Sequence, residues 1–151
     1  MKQHLIRIFV LAGIATVFLG CQSAGSALST ASAFEKIGGS NNVSSIASSF
    51  VNSALKDPAL HSLTAGKSVD QGATTDKLSN QLCSMLGGGC QAPLTDSEVT
   101  SGARKVSADQ SRAISSHFAS SLESVVSDPA VRQLVTSEIG SKLPGVVGAL
   151  L

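Results

Sequence analysis

Apolar residues recur at helical spacing along most of the chain. The most regular stripe consists of Val43, Ile46, Ala47, Phe50, Val51, Ala54 and Leu55. Its members share one face of an α-helix, so the stripe predicts an amphipathic helix. The helix is expected to end at Asp57-Pro58, because proline disfavours the α conformation in the residue before it.

A second amphipathic helix is predicted over 74–86, where the apolar side chains again lie on one face. These side chains are Leu78, Leu82, Met85 and Leu86. The triple glycine at 87–89 can adopt the left-handed conformation with which many helices end. A short helix is expected next, in the stretch SEVTSGARKV at 97–106, because Thr95 and Glu98 have the spacing of a capping box.

Two more helices are predicted in the second half of the chain. Ser107 and Gln110 repeat the capping-box spacing ahead of another long apolar helix. Its stripe consists of Ile114, Phe118, Leu122 and Val125. Asp128-Pro129 combines an N-cap residue with a proline in the first turn, and begins a further helix. No segment alternates strictly between apolar and polar residues, so the predicted fold class is all-α.

The N-terminal residues have the features of a bacterial export signal. Lys2 and Arg7 precede an apolar run over 8–19, which is shorter than the ~20 apolar residues that a bilayer requires. The motif VFLGC, which ends at Cys21, resembles a lipobox, in which the cysteine is lipidated and becomes the first mature residue. The alternative is an ordinary secretory signal that is cleaved nearby.

The lipobox resemblance predicts both the domain organisation and the location of the protein. Residues 1–20 are predicted to be a lipoprotein signal peptide, and 21–33 a flexible Ser/Ala/Gly linker after the lipidated Cys21. The folded domain is predicted to span 34–151. Acyl chains would anchor the exported protein to a membrane. If the bacterium has two membranes, the periplasmic face of the outer membrane is expected, because no aspartate follows Cys21 directly.

Composition removes several classes of function from consideration. The formal net charge is +1, and the chain has five Phe but no Trp or Tyr. Neither a basic surface for nucleic acid nor an aromatic platform for base stacking is therefore expected. Serines, histidines and acidic residues are present, but no spacing among them predicts a catalytic triad. The chain is not expected to be an enzyme.

Cys83 and Cys90 are predicted to form a disulfide, because an exported protein folds in an oxidising compartment. The triple glycine between them allows the chain to turn sharply. The chain-entropy model gives such a short loop a stabilisation of roughly 2.5 kcal/mol. The alternatives are a redox pair or a metal site. No third or fourth ligand lies at zinc spacing, so no metal ligand is assigned.

Three motifs, in order, resemble those of the group I truncated haemoglobins, which are two-over-two helical globins. The motifs are FEKIGG (34–39), DPAL (57–60) and LSNQLCSMLGG (78–88). The resemblance extends from residue 34 to about residue 148. It implies a globin-like, truncated two-over-two helical sandwich, with haem between the helix at 74–86 and the one at 108–125. The family's activities are oxygen binding and, in some members, nitric oxide oxidation.

The residues at the family's haem-pocket positions depart from the family pattern. These positions are occupied by Phe50, Val51, Leu63, Leu78, Leu82 and Ser101. Ser101 falls where the family has its proximal histidine, and a serine hydroxyl is a poor iron ligand at neutral pH. Val51 replaces the tyrosine that would hydrogen-bond to bound oxygen, and Leu63 replaces an aromatic residue that packs on the haem. The resemblance therefore implies a globin scaffold with a degenerate haem site.

Three other side chains are candidates for an atypical axial ligand to haem iron. His61 follows the DPAL motif, His117 flanks the apolar face of its predicted helix, and Met85 shares a face with Leu78 and Leu82. Each also has a simpler interpretation. His61 is then a solvated loop residue, His117 a partly buried helix residue, and Met85 part of the core.

The favoured hypothesis is a membrane-anchored, truncated-haemoglobin-like lipoprotein of the cell envelope, acting as a non-enzymatic binding or structural module. No cofactor is expected for it. Besides the membrane, its partner would be an envelope protein or a small apolar ligand. The alternative hypothesis is a haem-binding group I truncated globin that binds oxygen or nitric oxide through an atypical axial ligand.

Overall fold

Helices make up the secondary structure of the part of the chain that the computed structural model describes, residues 31–151. They are α1 (Ala33–Lys36), α2 (Gly39–Ala54), α3 (His61–Thr64), α4 (Gln71–Met85), α5 (Asp96–Ala103), α6 (Ala108–Val125), α7 (Pro129–Ile139) and α8 (Leu143–Leu150), with a 3-10 turn at Pro58–Leu60. No strand occurs within 31–151, and the prediction of an all-α fold is confirmed. The predicted signal peptide, Cys21 and most of the predicted linker lie outside the described residues.

Side-chain caps determine where the long helices begin. At the start of α6, Ser107 Oγ accepts a hydrogen bond from the Gln110 N–H, and Gln110 Oε1 accepts one from the Ser107 N–H. This is the predicted capping box. α4 begins at Gln71, earlier than the predicted 74, because Asp70 Oδ1 accepts a hydrogen bond from the Ala73 N–H. The aspartate supplies an N-cap that the apolar pattern alone does not reveal.

α2 forms the centre of the core and packs against both α4 and α6. Its buried residues are Val43, Ile46, Ala47, Phe50, Val51 and Ala54. The rings of Phe50 and Phe118 meet edge to face, with centroids 6.2 Å apart and planes at 64°. Each large apolar side chain buried in this way stabilises the fold by about 1.5–3 kcal/mol. The predicted stripe of α2 therefore supplies the apolar face that packs against α4 and α6.

The last part of the chain forms two separate helices. α7 begins at Asp128-Pro129, as the sequence predicts. The sequence pattern does not predict α8, because it contains Pro144, Gly145 and Gly148, which are poor helix formers. Pro144 is tolerated because it lies in the first turn, where the backbone N–H has no intrahelical partner. Neither α8 nor any other helix in residues 31–151 is long and apolar enough to cross a bilayer.

α8 packs against α5 with the two backbones in direct contact. A Cβ added to Gly148 would lie 2.3 Å from the carbonyl oxygen of Gly102, closer than side chains approach. α8 also contacts α4 and α6. Its residues Val146 and Val147 are buried, at 0% and 2% exposure. α8 therefore lies among α4, α5 and α6 and contacts all three.

Candidate functional site

An apolar cleft, here called the α8 cleft, lies where α2, α4 and α8 meet. Phe50 and Val51 of α2, Leu78 of α4, and Val147 and Leu150 of α8 line it. The volume of the cleft is ≈ 10 Å³, which is about the space that one water molecule requires. The side chains of α8 therefore close the space between α2 and α4 almost completely.

Five of the six residues at the predicted haem-pocket positions are buried in one core. Phe50, Val51 and Leu78 line the α8 cleft. Leu63 of α3 and Leu82 of α4 are 8% and 1% exposed, and both belong to the same apolar cluster. The structure therefore brings together five of the six positions that the family resemblance assigns to the haem pocket.

Ser101, the sixth of these positions, lies apart from the others. Its side chain is exposed on the outer face of α5, in a shallow depression that Ser97 and Arg104 also line. The adjacent Gly102 is buried and faces α8. Successive helical residues are rotated by about 100° about the helix axis. Because Gly102 faces α8, the preceding residue, Ser101, faces solvent.

The haem that the resemblance implies does not fit among these helices as they are packed. Small-molecule pockets typically measure about 300–1,000 Å³, whereas the α8 cleft measures ≈ 10 Å³. Among the described residues that line the cleft, Thr74 is the one polar side chain, and none carries an imidazole, thiol or thioether. The space and the ligand atoms that haem requires are therefore both missing from the cleft.

The three alternative ligand candidates lie in three different places. His61 is exposed at the start of α3. Met85 is half-buried at the end of α4, beside Leu134 in a groove next to α1. His117 is half-buried and engaged by Asp57. None of the three is among the described residues that line the α8 cleft.

Asp57 and His117 form a partly buried hydrogen-bonded pair that ties α6 to the segment after α2. His117 Nε2 lies 2.6 Å from Asp57 Oδ2, and the two side chains are 27% and 22% exposed. Asp57 Oδ1 also accepts a hydrogen bond of 2.8 Å from the Ala59 N–H. The hydrogen bond with His117, and after it the one from Ala59, hold the pKa of the Asp57 carboxyl below its usual value, although desolvation acts in the opposite direction.

Gln110 makes a second link between α6 and the segment 57–62. Its Nε2 donates to Ser62 Oγ at 2.6 Å and to the Ala59 carbonyl oxygen at 3.4 Å. The same side chain completes the capping box of α6 through its Oε1. Both Gln110 and His117 join residues that are far apart in sequence, so local patterns do not reveal either link. Together they hold the 57–62 segment, and with it Leu60, against the core.

Cys83 and Cys90 are joined in a disulfide, with their sulfur atoms at bonding distance and their Cα atoms 5.7 Å apart. The prediction of a disulfide is confirmed. The loop that it closes also receives α1, because the Phe34 N–H donates to the Leu86 carbonyl oxygen at 3.0 Å. A Cβ on Gly88 would lie 2.6 Å from both the Phe34 ring and Cys83 Sγ. The disulfide loop is therefore part of the surface on which α1 docks, together with α2 and α7.

A depression of ≈ 240 Å³ adjoins the α8 cleft. Lys67 and Lys77 line it, together with Asp70 and with residues that it shares with the cleft. The Lys67 ammonium donates a hydrogen bond to a backbone oxygen of Leu151. Sequence patterns gave no signal for this site, because Lys67 and Leu151 are 84 positions apart. Within residues 31–151, no three His, Cys, Asp or Glu side chains converge on a metal position.

No protein-family model matches the sequence, and no curated protein or solved structure is significantly similar to the chain. The family resemblance therefore rests on the order and spacing of the three motifs, FEKIGG, DPAL and LSNQLCSMLGG.

Proposed function

We propose that the chain is a lipid-anchored protein of the bacterial cell envelope, with a truncated two-over-two globin arrangement that has lost its haem. In this proposal the domain acts as a binding or structural module and not as an enzyme. The order of the elements supports the globin-like arrangement. FEKIGG leads into α2, DPAL forms the turn after it, and the LGG of the third motif ends α4. α2 packs on α4 and on α6, and α5 lies between α4 and α6 in the chain.

The position of α8 carries the haem-free part of the proposal. A haem would require space between α4 and α6, on the side of α5. α8 contacts all three of these helices, and the α8 cleft beside it, between α2 and α4, has a volume of only ≈ 10 Å³. The exposed position of Ser101 supports the same proposal, because the residue at the proximal position then points away from α8 and towards solvent.

The envelope location and the lipid anchor are proposed from the N-terminal sequence. Lys2, Arg7, the apolar run and the VFLGC motif together support an export signal that ends at a lipidated Cys21. The disulfide between Cys83 and Cys90 supports an oxidising compartment. A tethered domain with few reactive groups is suited to holding a ligand or a partner close to the membrane.

An absorption titration with hemin tests the haem-free proposal. The full chain is mixed with one equivalent of hemin and passed through a gel-filtration column. The expected spectrum is the broad band of unbound hemin, and the eluted protein should carry none of it. A sharp Soret band that co-elutes with the protein at one haem per chain would overturn the proposal.

The same titration separates the alternative, in which an atypical ligand binds haem. If a Soret band is found, the variants His61→Ala, Met85→Leu and His117→Ala show which side chain ligates the iron. A shift of the band in one variant would establish the haem-binding alternative. Each substitution removes one candidate ligand and leaves the apolar lining of the α8 cleft unchanged, and His117→Ala also removes the hydrogen bond with Asp57.

A further inference from the structure

A groove of ≈ 410 Å³, here called the α6–α7 groove, lies between α6 and α7. α6 contributes Ala119, Leu122 and Glu123, which share one face of the helix because they are three and four positions apart. Leu122 is buried, at 1% exposure, and lies at the bottom of the groove. α7 contributes Arg132 and polar side chains around it. The volume is within the ~300–1,000 Å³ of small-molecule sites, so the groove has room for a ligand.

The guanidinium group of Arg132 is held in place by the end of α6. Its Nη1 donates to the carbonyl oxygens of Val126 and Ser127, both at 2.8 Å. The Nε and Nη2 atoms of Arg132 donate to no acceptor within residues 31–151. These two nitrogens form an edge that can bind a carboxylate through two parallel hydrogen bonds. Arg132 is therefore positioned by one nitrogen and keeps an edge that suits a carboxylate.

Glu123 places the opposite charge on the other wall of the groove. Its side chain is exposed, and within residues 31–151 no ion pair joins it to Arg132 or to another cation. Among the described residues that line the groove, Glu123 and Arg132 are the charged ones. A simple anion would be attracted by Arg132 and repelled by Glu123, whereas a molecule with one charge of each sign is attracted by both.

We propose that the α6–α7 groove binds a zwitterionic amino-acid ligand, which is either a free amino acid or a short peptide with free ends. Arg132 donates two hydrogen bonds to the carboxylate, and Glu123 accepts a hydrogen bond from the ammonium group. Ala119 and Leu122 contact the apolar part of the ligand. The inference goes beyond the proposed function, because the groove shares no lining residue with the α8 cleft.

Titration of the isotope-labelled full chain with alanine, followed by amide chemical shifts, tests the inference. Saturable shifts are expected at the amides of Glu123, Arg132 and Thr136, which line the groove. The amides of Phe50 and Leu78, which line the α8 cleft, should not shift. The absence of a saturable shift in the groove at millimolar concentrations of both alanine and alanyl-alanine would overturn the inference.

The two possible sources of the ligand, and the two charges, are separated by comparing analogues. Tighter binding of alanine than of alanyl-alanine identifies a free amino acid, and the reverse order identifies a peptide. Alaninamide lacks the carboxylate and N-acetylalanine lacks the ammonium group. Each should bind roughly tenfold more weakly than alanine, the effect of losing one charge-assisted contact. Equal dissociation constants for alanine and these two analogues would contradict the proposal.

Variants test the two charged residues separately. Glu123→Gln should weaken the binding of alanine roughly tenfold, but should leave the binding of N-acetylalanine unchanged, because that analogue has no ammonium group. Arg132→Lys keeps the charge and loses the planar fork, so it should weaken the binding of alanine and of N-acetylalanine alike.

Glu138→Gln is the matched control, since it removes the same charge from an exposed position of α7 outside the groove. It should leave the binding of alanine unchanged. If Glu123→Gln affects this binding no more than Glu138→Gln does, the proposal is overturned. This outcome leaves the proposed function intact, whereas a Soret band in the hemin titration would overturn the proposed function and leave the ligand of the α6–α7 groove unaffected.

Discussion

Gly102 of α5 and Gly145 of α8 lie in backbone contact, so that a Cβ added to Gly102 would be 2.1 Å from the Gly145 carbonyl oxygen. A Cβ on Gly145 would in turn lie 2.4 Å from the Val99 carbonyl oxygen. Such an approach is open only to glycine on both helices. The close packing of α8 on α5 therefore depends on glycine at both Gly102 and Gly145.

Gly145→Ala should lower the free energy of unfolding by about 1–3 kcal/mol, because the added methyl group overpacks the contact with α5. Urea unfolding followed by circular dichroism measures this change. Gly72→Ala is the matched control. Its added Cβ would meet a side-chain oxygen, Asp70 Oδ1, at 3.3 Å on the exposed first turn of α4 and no backbone atom of a neighbouring helix, so a smaller loss is expected. Equal effects of the two substitutions would contradict the close packing of α5 and α8.

Asp57→Asn should destabilise the protein at neutral pH and have a progressively smaller effect in acid. The folded-state pKa of Asp57 is lowered from its ordinary value of 3.8, chiefly by the hydrogen bond with His117. The ionised carboxylate therefore stabilises the folded state above that ordinary value, and the contribution is lost as pH falls through the lowered folded pKa. Melting temperatures of the wild type and the variant, measured between pH 7 and acid pH, should converge.

Asp109→Asn is the control for this pH dependence. Asp109 pairs with Arg112 on the exposed surface of α6, with side chains 82% and 77% exposed, and such pairs contribute little. Its melting temperature should follow that of the wild type at every pH. A constant difference between wild type and Asp57→Asn down to strong acid would show that the loss is not that of an ionised carboxylate.

Gln110→Ala should lower the free energy of unfolding by about 1–2 kcal/mol, because it removes both a capping-box partner and the hydrogen bond to Ser62. Denaturant unfolding gives the value. Gln133→Ala changes the same residue type at an exposed position of α7 and should be nearly neutral. If the two substitutions cost the same, the link from α6 to the 57–62 segment contributes nothing.

Reduction of the disulfide should lower the free energy of unfolding by roughly 2.5 kcal/mol, because the unfolded chain regains the conformational entropy that the closed loop removes. It should also loosen α1, since the Phe34 N–H donates to Leu86 within the loop region. Hydrogen exchange at the Phe34 amide, with and without a dithiol reductant, measures the local effect. The double variant Cys83→Ser with Cys90→Ser should not respond to the reductant. If the reductant does not change hydrogen exchange at the Phe34 amide of the wild type either, the docking of α1 on this loop is contradicted.

The sequence predicted the amphipathic helices well, because their signals are local. The stripe ending at Leu55, the capping box of Ser107 with Gln110, and the Asp128-Pro129 start all correspond to observed elements. The disulfide could also be predicted, since Cys83 and Cys90 are only seven positions apart and a triple glycine lies between them.

The remaining features depend on contacts between distant residues. α8 was not predicted because glycines in a sequence indicate the end of a helix, whereas Gly145 and Gly148 allow the backbone of α8 to contact α5. The outward orientation of Ser101 depends on which face of α5 meets α8, and an alignment of motifs contains no information on that rotation. The pairs Asp57 with His117 and Lys67 with Leu151 are 60 and 84 positions apart. No local pattern joins them.

The central claim, that α8 occupies the space where a globin would hold haem, is tested most directly by nuclear Overhauser effects in solution. A Cβ on Gly148 would lie 2.7 Å from Val106 Cγ2, and one on Gly145 would lie 3.0 Å from Val99 Cγ1. The Hα protons of both glycines should therefore show strong effects to these valine methyl groups, before and after the addition of one equivalent of hemin. Their absence, or their loss when hemin is added, would contradict the account.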